Sequence, residues 1–137
     1  MRRVSCEEDL RLAVDIRTRV FVEEQGVDPA LEIDGKDSEC THYLAEFEGK
    51  IIGTARWRQT DKGIKLERFA VLKAFRNKRA GVALLQKVLA DLSKADQKIY
   101  LHAQDQVVGF YEKFNFIAEG NEFFEAGIRH FKMIYMR

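Results

Sequence analysis

Chemistry in this chain of 137 residues gathers where cations, a glycine and the start of a helix meet. From Lys65 to Leu92 the sequence reads as a strand, then a turn carrying Arg76, Lys78 and Arg79, then a helix. In that helix Leu85, Val88, Leu89 and Leu92 recur at helical spacing, with Gln86, Lys87 and Asp91 on the other side. Such a turn can hold an anion without a metal. The first N–H groups of a helix lack intrahelical acceptors, and the helix dipole adds about half a positive charge there, so main-chain donors could grip a pyrophosphate. Gly81 lets the backbone approach a ligand closely. An ordinary strand, solvated turn and helix would show the same periodicity, and the turn lacks the lysine-bearing glycine loop of nucleotide hydrolases. Elsewhere the reactive side chains are scattered. His102 and His130 have no third partner at metal-ligand spacing, which argues against zinc. Cys6 and Cys40 form no CxxC pair and read as thiols without a role. Phe110-Tyr111, taken alone, reads as core packing.

The elements that must position the turn follow from patterning. Ser5 with Glu8 fits a capping box, and Leu10, Leu12, Ala13, Val14, Ile16 and Val20 give a broad apolar face, which predicts a helix over Glu7 to Glu23. Glu24 to Glu39 is the one long loop, acid-rich and holding the only proline, Pro29. Val27, Leu31 and Ile33 among its acids favour a structured loop lying over a pocket. Thr41 to Phe47 and Ile51 to Gln59 read as a hairpin, and the turn Thr60-Asp61-Lys62-Gly63 returns the chain into a strand over Ile64 to Val71. Lys98 to His102 follows a helix and so predicts a parallel neighbour to the Ile64 strand. Val107 to Phe114 reads as a short helix stopped at Asn115, a residue type that tolerates the left-handed conformation. Phe116 to Ala118 and Arg129 to Met136 are the last strands. The fold class is α/β, with a mixed, mostly antiparallel sheet flanked by helices in a single domain over 1–137.

Composition narrows the function. With 23 basic against 22 acidic side chains, no global field attracts nucleic acid or an anionic membrane. No apolar run approaches the roughly 18 residues of a membrane span, and two isolated cysteines suit a reduced compartment. The expectation is a soluble, cytoplasmic protein without nucleic-acid or membrane partners.

Several separated segments are similar to one known family. Glu67-Arg68-Phe69-Ala70-Val71 leading into Arg76-Asn77-Lys78-Arg79-Ala80-Gly81, then Phe110-Tyr111-Glu112-Lys113-Phe114-Asn115-Phe116, resemble the GNAT superfamily of acyl-CoA-dependent N-acyltransferases. Val20 to Gln25, Glu32 to Asp37, His42, Ala103-Gln104 and Gly127-Ile128-Arg129-His130 with Met133 look like a small bacterial subgroup of stand-alone acetyltransferases. The resemblance implies that Arg76, Asn77, Lys78, Arg79, Ala80 and Gly81, continuing to Val82 and Ala83, hold the coenzyme A pyrophosphate. Arg79 stands where that loop usually has its first glycine, and Asn115 also replaces a glycine. The backbone of Phe69, Ala70 and Val71 is implied to pair with the pantetheine amides, one N–H of Ala70 or Val71 facing the thioester oxygen. Gln104, Phe110 and Lys113 fall on the coenzyme side by the same resemblance.

That family moves an acetyl group from acetyl-CoA to a primary amine, and the expectation here is direct attack in a ternary complex, with no metal and no acyl-enzyme. An alkylammonium of pKa about 10.4 must first lose a proton. Glu67 is the first candidate base because it alternates onto the strand face of Phe69 and Val71; His42 is the second; the loop acids Glu32 and Asp34 are further ones. Tyr111 matches the acid that protonates the leaving thiolate. Arg56, Trp57 and Arg58 resemble acceptor-facing residues, but fit a solvated face as well. Acidic loop residues suit a cationic amine; Arg56 and Arg58 suit an anionic one. A monomer or a homodimer is compatible with the sequence. Two other classes compete: an acyl-CoA sensor without catalysis, and an α/β RNA-binding domain, against which the near-zero net charge argues.

Overall fold

The computed structural model describes residues 1–137, except the side chain of Asn77. Any role for that side chain in the anion turn lies outside the described residues. The chain forms two compact units, one of Met1–Trp57 with Arg68–Ala95, the other of Arg58–Glu67 with Asp96–Arg137. The fold is a mixed α/β architecture with eight strands in a mostly antiparallel sheet.

In the first unit β1 (Arg2–Arg3) pairs antiparallel with β2 (Thr41–Phe47), and β2 with β3 (Lys50–Thr60), with Thr41 opposite Trp57 and Phe47 opposite Lys50. Helix α1 spans Glu7–Arg17. The expected capping box does not form: Cys6 is the N-cap and gives no side-chain hydrogen bond, the chain arriving extended from β1 with Val4 N–H bonded to the His42 carbonyl. Past Arg17 the helix widens into a π-type segment, Thr18–Glu24, rather than continuing as α to Glu23. Thr18 bonds back to the Val14 carbonyl at 2.9 Å where the widening starts, which loosens the ordinary ladder. Ile16, Val20 and Ala70 pack with Phe21, Ile51 and Leu72; of the apolar face read from the sequence Ala13, Ile16 and Val20 are buried, whereas Leu12 is exposed. The loop beyond is structured, as expected, containing α2 (Pro29–Glu32) and a 3-10 turn at Asp37–Glu39. Its burial is inverted: Leu31 and Ile33 are exposed, whereas Glu32 is buried.

The second unit holds the start of β4 (Gly63–Val71), which runs parallel to β5 (Ile99–Gln104), with Ile64 opposite Ile99. This is the crossover that the helix between the two strands predicted, and the helix itself is α3 (Ala80–Asp91) of the first unit. β5 pairs antiparallel with β8 (Ile128–Tyr135), which also pairs with β6 (Phe116–Ala118) and β7 (Phe123–Glu125). Helix α4 is Val108–Glu112, and Asn115 adopts φ +70° beyond it. No helix among the described residues is long and apolar enough to cross a membrane.

Candidate functional site

The turn before α3 is built from cations and one strained residue. Lys73–Lys78 form a 3-10 segment, and Arg79 caps α3 with φ +60° and no side-chain hydrogen bond. The positive φ that glycine normally supplies is thus adopted by arginine, at a cost of about 1–2 kcal/mol. The first bond of the helix runs from Ala83 N–H to the Arg79 carbonyl at 3.1 Å, so the N–H groups of Ala80, Gly81 and Val82 have no acceptor within the helix. Arg76 is engaged: its guanidinium takes both carboxylate oxygens of Glu24, at 2.7 and 2.6 Å, and donates to the Val71 carbonyl at 3.0 Å. Lys78 lies over the Phe47 ring at 5.6 Å. Phe69, Ala70 and Val71 close β4 just before this turn.

Beside α1 the long loop makes a network with no signature in the sequence. Arg17 bonds Glu32 at 2.6 Å and Asp37 at 2.7 Å; Arg56 bonds Asp37 and Asp34, both at 2.7 Å; Arg68 approaches Asp34 and Glu32, both at 3.4 Å. These contacts close a ring of six alternating charges, with Arg17, Arg56 and Glu32 buried. Partial burial pushes the Asp34 carboxyl up, but Arg56, the Lys36 N–H and Arg68 outweigh it and hold the group well below the usual carboxylate range. The same balance, with Arg17 and Arg56 as partners, lowers Asp37. Glu32 and Asp34, considered as bases, are therefore committed to arginines, and Arg56 faces this loop rather than solvent. Arg68 has φ +58°, which interrupts the strand alternation expected to put Glu67, Phe69 and Val71 on one face. Trp57 is tied inward as well. Its indole N–H donates to the Tyr43 hydroxyl at 3.1 Å, and that hydroxyl donates to Asp91 at 2.9 Å.

His42 is buried and donates from Nε2 to the Asp37 carbonyl at 2.9 Å. A carbonyl can only accept, so Nε2 carries the proton, and Nδ1 is buried without a hydrogen-bond partner among the described residues. Burial, above all, lowers the imidazole below 6.5.

In the second unit Glu67 is engaged by Arg58 at 2.5 Å and by Lys65 at 3.5 Å. Tyr111 is buried in α4 with its ring edge-on to Phe116 and Phe110, at 5.6 and 5.1 Å between centroids. Burial pushes its phenol above the ordinary value of 10.0, so it stays protonated at neutral pH. Gln104 ends β5, accepts from Gln106 at 2.5 Å and lies opposite His130; exposed Lys113 follows α4. Sequence reasoning missed one feature here: His102 Nδ1 lies 2.7 Å from Glu125. The separation of 23 positions between the partners explains why no spacing rule finds them. No three His, Cys, Asp or Glu side chains among the described residues gather as a metal site.

An acetyltransferase (GNAT) domain model matches residues 6–136. The chain belongs to the GNAT family. It is 38% identical to the uncharacterized N-acetyltransferase YjcF of Bacillus subtilis across 93% of both chains. Among solved structures it is similar to Escherichia coli ElaA, with a TM-score of 0.87 and 27% identity over 98% of this chain and 97% of that one. A GNAT acetyltransferase of Elizabethkingia anophelis, solved with acetyl-CoA bound, aligns at TM-score 0.63 and 22% identity over 88% of this chain and 86% of that one. Membership of the GNAT family assigns the chain to acyl transfer. Of the residues expected from the sequence, this GNAT chain carries Phe69 to Val71, Arg76 to Ala83 and His42 in its first unit, and Glu67, Gln104, Phe110, Tyr111 and Lys113 in its second.

Proposed function

We propose that residues 1–137 form one N-acetyltransferase domain that moves acetyl from acetyl-CoA to a primary amine of a small molecule, by direct attack in a ternary complex. The observation that carries this reading is the start of α3, where three N–H groups without helical acceptors follow a turn bearing Arg76, Lys78 and Arg79. That donor set fits a diphosphate, and Arg79 adds a cation where glycine would add none. The pantetheine amides are assigned to the Phe69–Val71 backbone, with Gln104, Phe110 and Lys113 on the coenzyme side. One N–H of Ala70 or Val71 is assigned to the developing oxyanion; such a donor is worth about 3–4 kcal/mol in acyl transfer.

Tyr111 is assigned as the acid. Its phenol is protonated at neutral pH and can donate to a departing thiolate. For the base, Glu67 and His42 differ in what their contacts allow. Glu67 already accepts from Arg58 and pairs with Lys65, so taking a proton means weakening both. His42 keeps its lone pair on a buried Nδ1.

A thermal-shift panel with acetyl-CoA, ADP and a pool of small primary amines tests the reading. Acetyl-CoA at a hundred times its Kd should add about 2.7 kcal/mol, and an amine from the pool should then release free thiol. Equal stabilisation by ADP and acetyl-CoA, with no thiol released, would overturn it. Binding without release would favour the sensor.

A further inference from the structure

We propose that His102, oriented by Glu125, is the base that takes the proton from the acceptor ammonium; this rests on the acyl-transfer reading above. Glu125 can only accept a hydrogen bond when ionised, and the bond from His102 is the main cause that lowers its carboxyl, with Lys65 and His130 lowering it further. Nδ1 of His102 therefore carries the hydrogen that bridges the 2.7 Å to Glu125, and the lone pair of the neutral ring is on Nε2. The side chain is 27% exposed, so that lone pair is open to solvent. The other histidines offer less. His42 keeps its lone pair buried, and His130, whose Nδ1–H goes to the Ile128 carbonyl at 2.7 Å rather than to a carboxylate, is only 8% exposed.

The surroundings are built to hold the ring. Phe123 meets the imidazole edge-on at 4.9 Å, and Tyr100 lies tilted at 6.0 Å. Glu125 is fixed by the hairpin between β7 and β8, whose turn residues Ala126 and Gly127 have φ +51° and +75°. Both central residues of a tight primed turn need positive φ, and an alanine there is strained, so the register of Glu125 is kept at a cost. Lys65 lies opposite Tyr100 in the parallel pair, and alternation puts Glu67 and His102 on that same sheet face. The titratable groups around the ring are Glu125, Lys65, Glu67, His130 and Lys132; Lys132 lies opposite His102 and is drawn to Glu119 at 3.4 Å.

The step balances as follows. Nε2 takes one proton from R–NH3⁺, and the freed lone pair forms the C–N bond at the thioester carbonyl. The C–S bond breaks on collapse, the nitrogen loses its second proton, and the thiolate gains one from Tyr111, which that second proton restores. The proton on Nε2 leaves to water. The imidazolium forms beside the Glu125 carboxylate.

The test uses acetyl-CoA with whichever amine of the pool gives thiol release, across pH 6–10, in the parent, His102→Gln, His102→Ala and Glu125→Ala. His102→Gln should lose about 10²–10⁴-fold in kcat at pH 7, with the KM for acetyl-CoA within about twofold and a deficit that shrinks as the amine deprotonates itself near pH 10. Added imidazole should restore part of the His102→Ala rate, which a purely structural role would not permit. In nitrogen-15 spectra the parent His102 should show the Nδ1–H tautomer, and Glu125→Ala should lose it while kcat falls and KM holds. A parent that turns over, with His102→Gln retaining more than half its rate at every pH, overturns the base. A parent that binds acetyl-CoA and acetylates no amine overturns the acyl-transfer reading, and the base role with it, even if the tautomer is found.

Discussion

Arg79 brings a cation to the turn against the preference of its own backbone. Its φ of +60° is one that glycine accepts freely, so Arg79→Gly should raise the unfolding free energy by about 0.5–1 kcal/mol in a urea titration, the relief being partly offset by the extra freedom glycine gives the unfolded chain. The same change should weaken acetyl-CoA several-fold by removing a cation from the turn. Arg76 makes the opposite case. It is held by Glu24, whose carboxyl that bond lowers, so Glu24→Gln should free the guanidinium and tighten acetyl-CoA by about fivefold in calorimetry, the scale of a surface pair. His42 sets a pH dependence. Its folded value lies below 6.5, so protonation favours the unfolded chain; its contribution is full above about pH 6.5 and lost as pH falls below it. Unfolding curves from pH 8 to pH 5 should show that decline in the parent and a flatter profile in His42→Gln. The arginine's strain was legible from its place at a glycine position of the loop; the histidine's burial was not, because it depends on what the distant chain packs against.

The loop between α1 and β2 is held by ion pairs rather than by an apolar core. Removing one partner of a buried pair leaves the other charge uncompensated, so Glu32→Gln should cost about 3 kcal/mol, read by chemical denaturation. Asp34 and Asp37 have lowered folded values; their stabilisation is full above about pH 4 and is lost as pH falls further, which sets a second, acidic decline below that of His42. The strands were legible: Thr41 to Phe47 and Phe116 to Ala118 match the observed spans, and the others fall within a residue or two, because alternation and turn residues are local signals. β1 and β7, two and three residues long, were missed. The loop was recognised as structured from its apolar residues, yet two of them, Leu31 and Ile33, are exposed and its acids do the holding. Alternating charge across Arg17, Glu32, Arg56 and Arg68 has no period to read.

At the scale of the whole chain, charge is nearly balanced, and part of it is paired internally, in the six-membered ring beside α1 and in the pairs around Glu67 and Glu125. Family membership, read from separated motifs, rests on such local patterns; the proton-transfer groups do not, since His102 and Glu125 come from different strands. The proposed coenzyme binding depends on the start of α3 gripping a diphosphate. An amide titration of the isotope-labelled protein with acetyl-CoA measures that most directly: the largest shifts should fall on Ala80, Gly81, Val82 and Ala83. Saturable binding that leaves those four amides unmoved would contradict it.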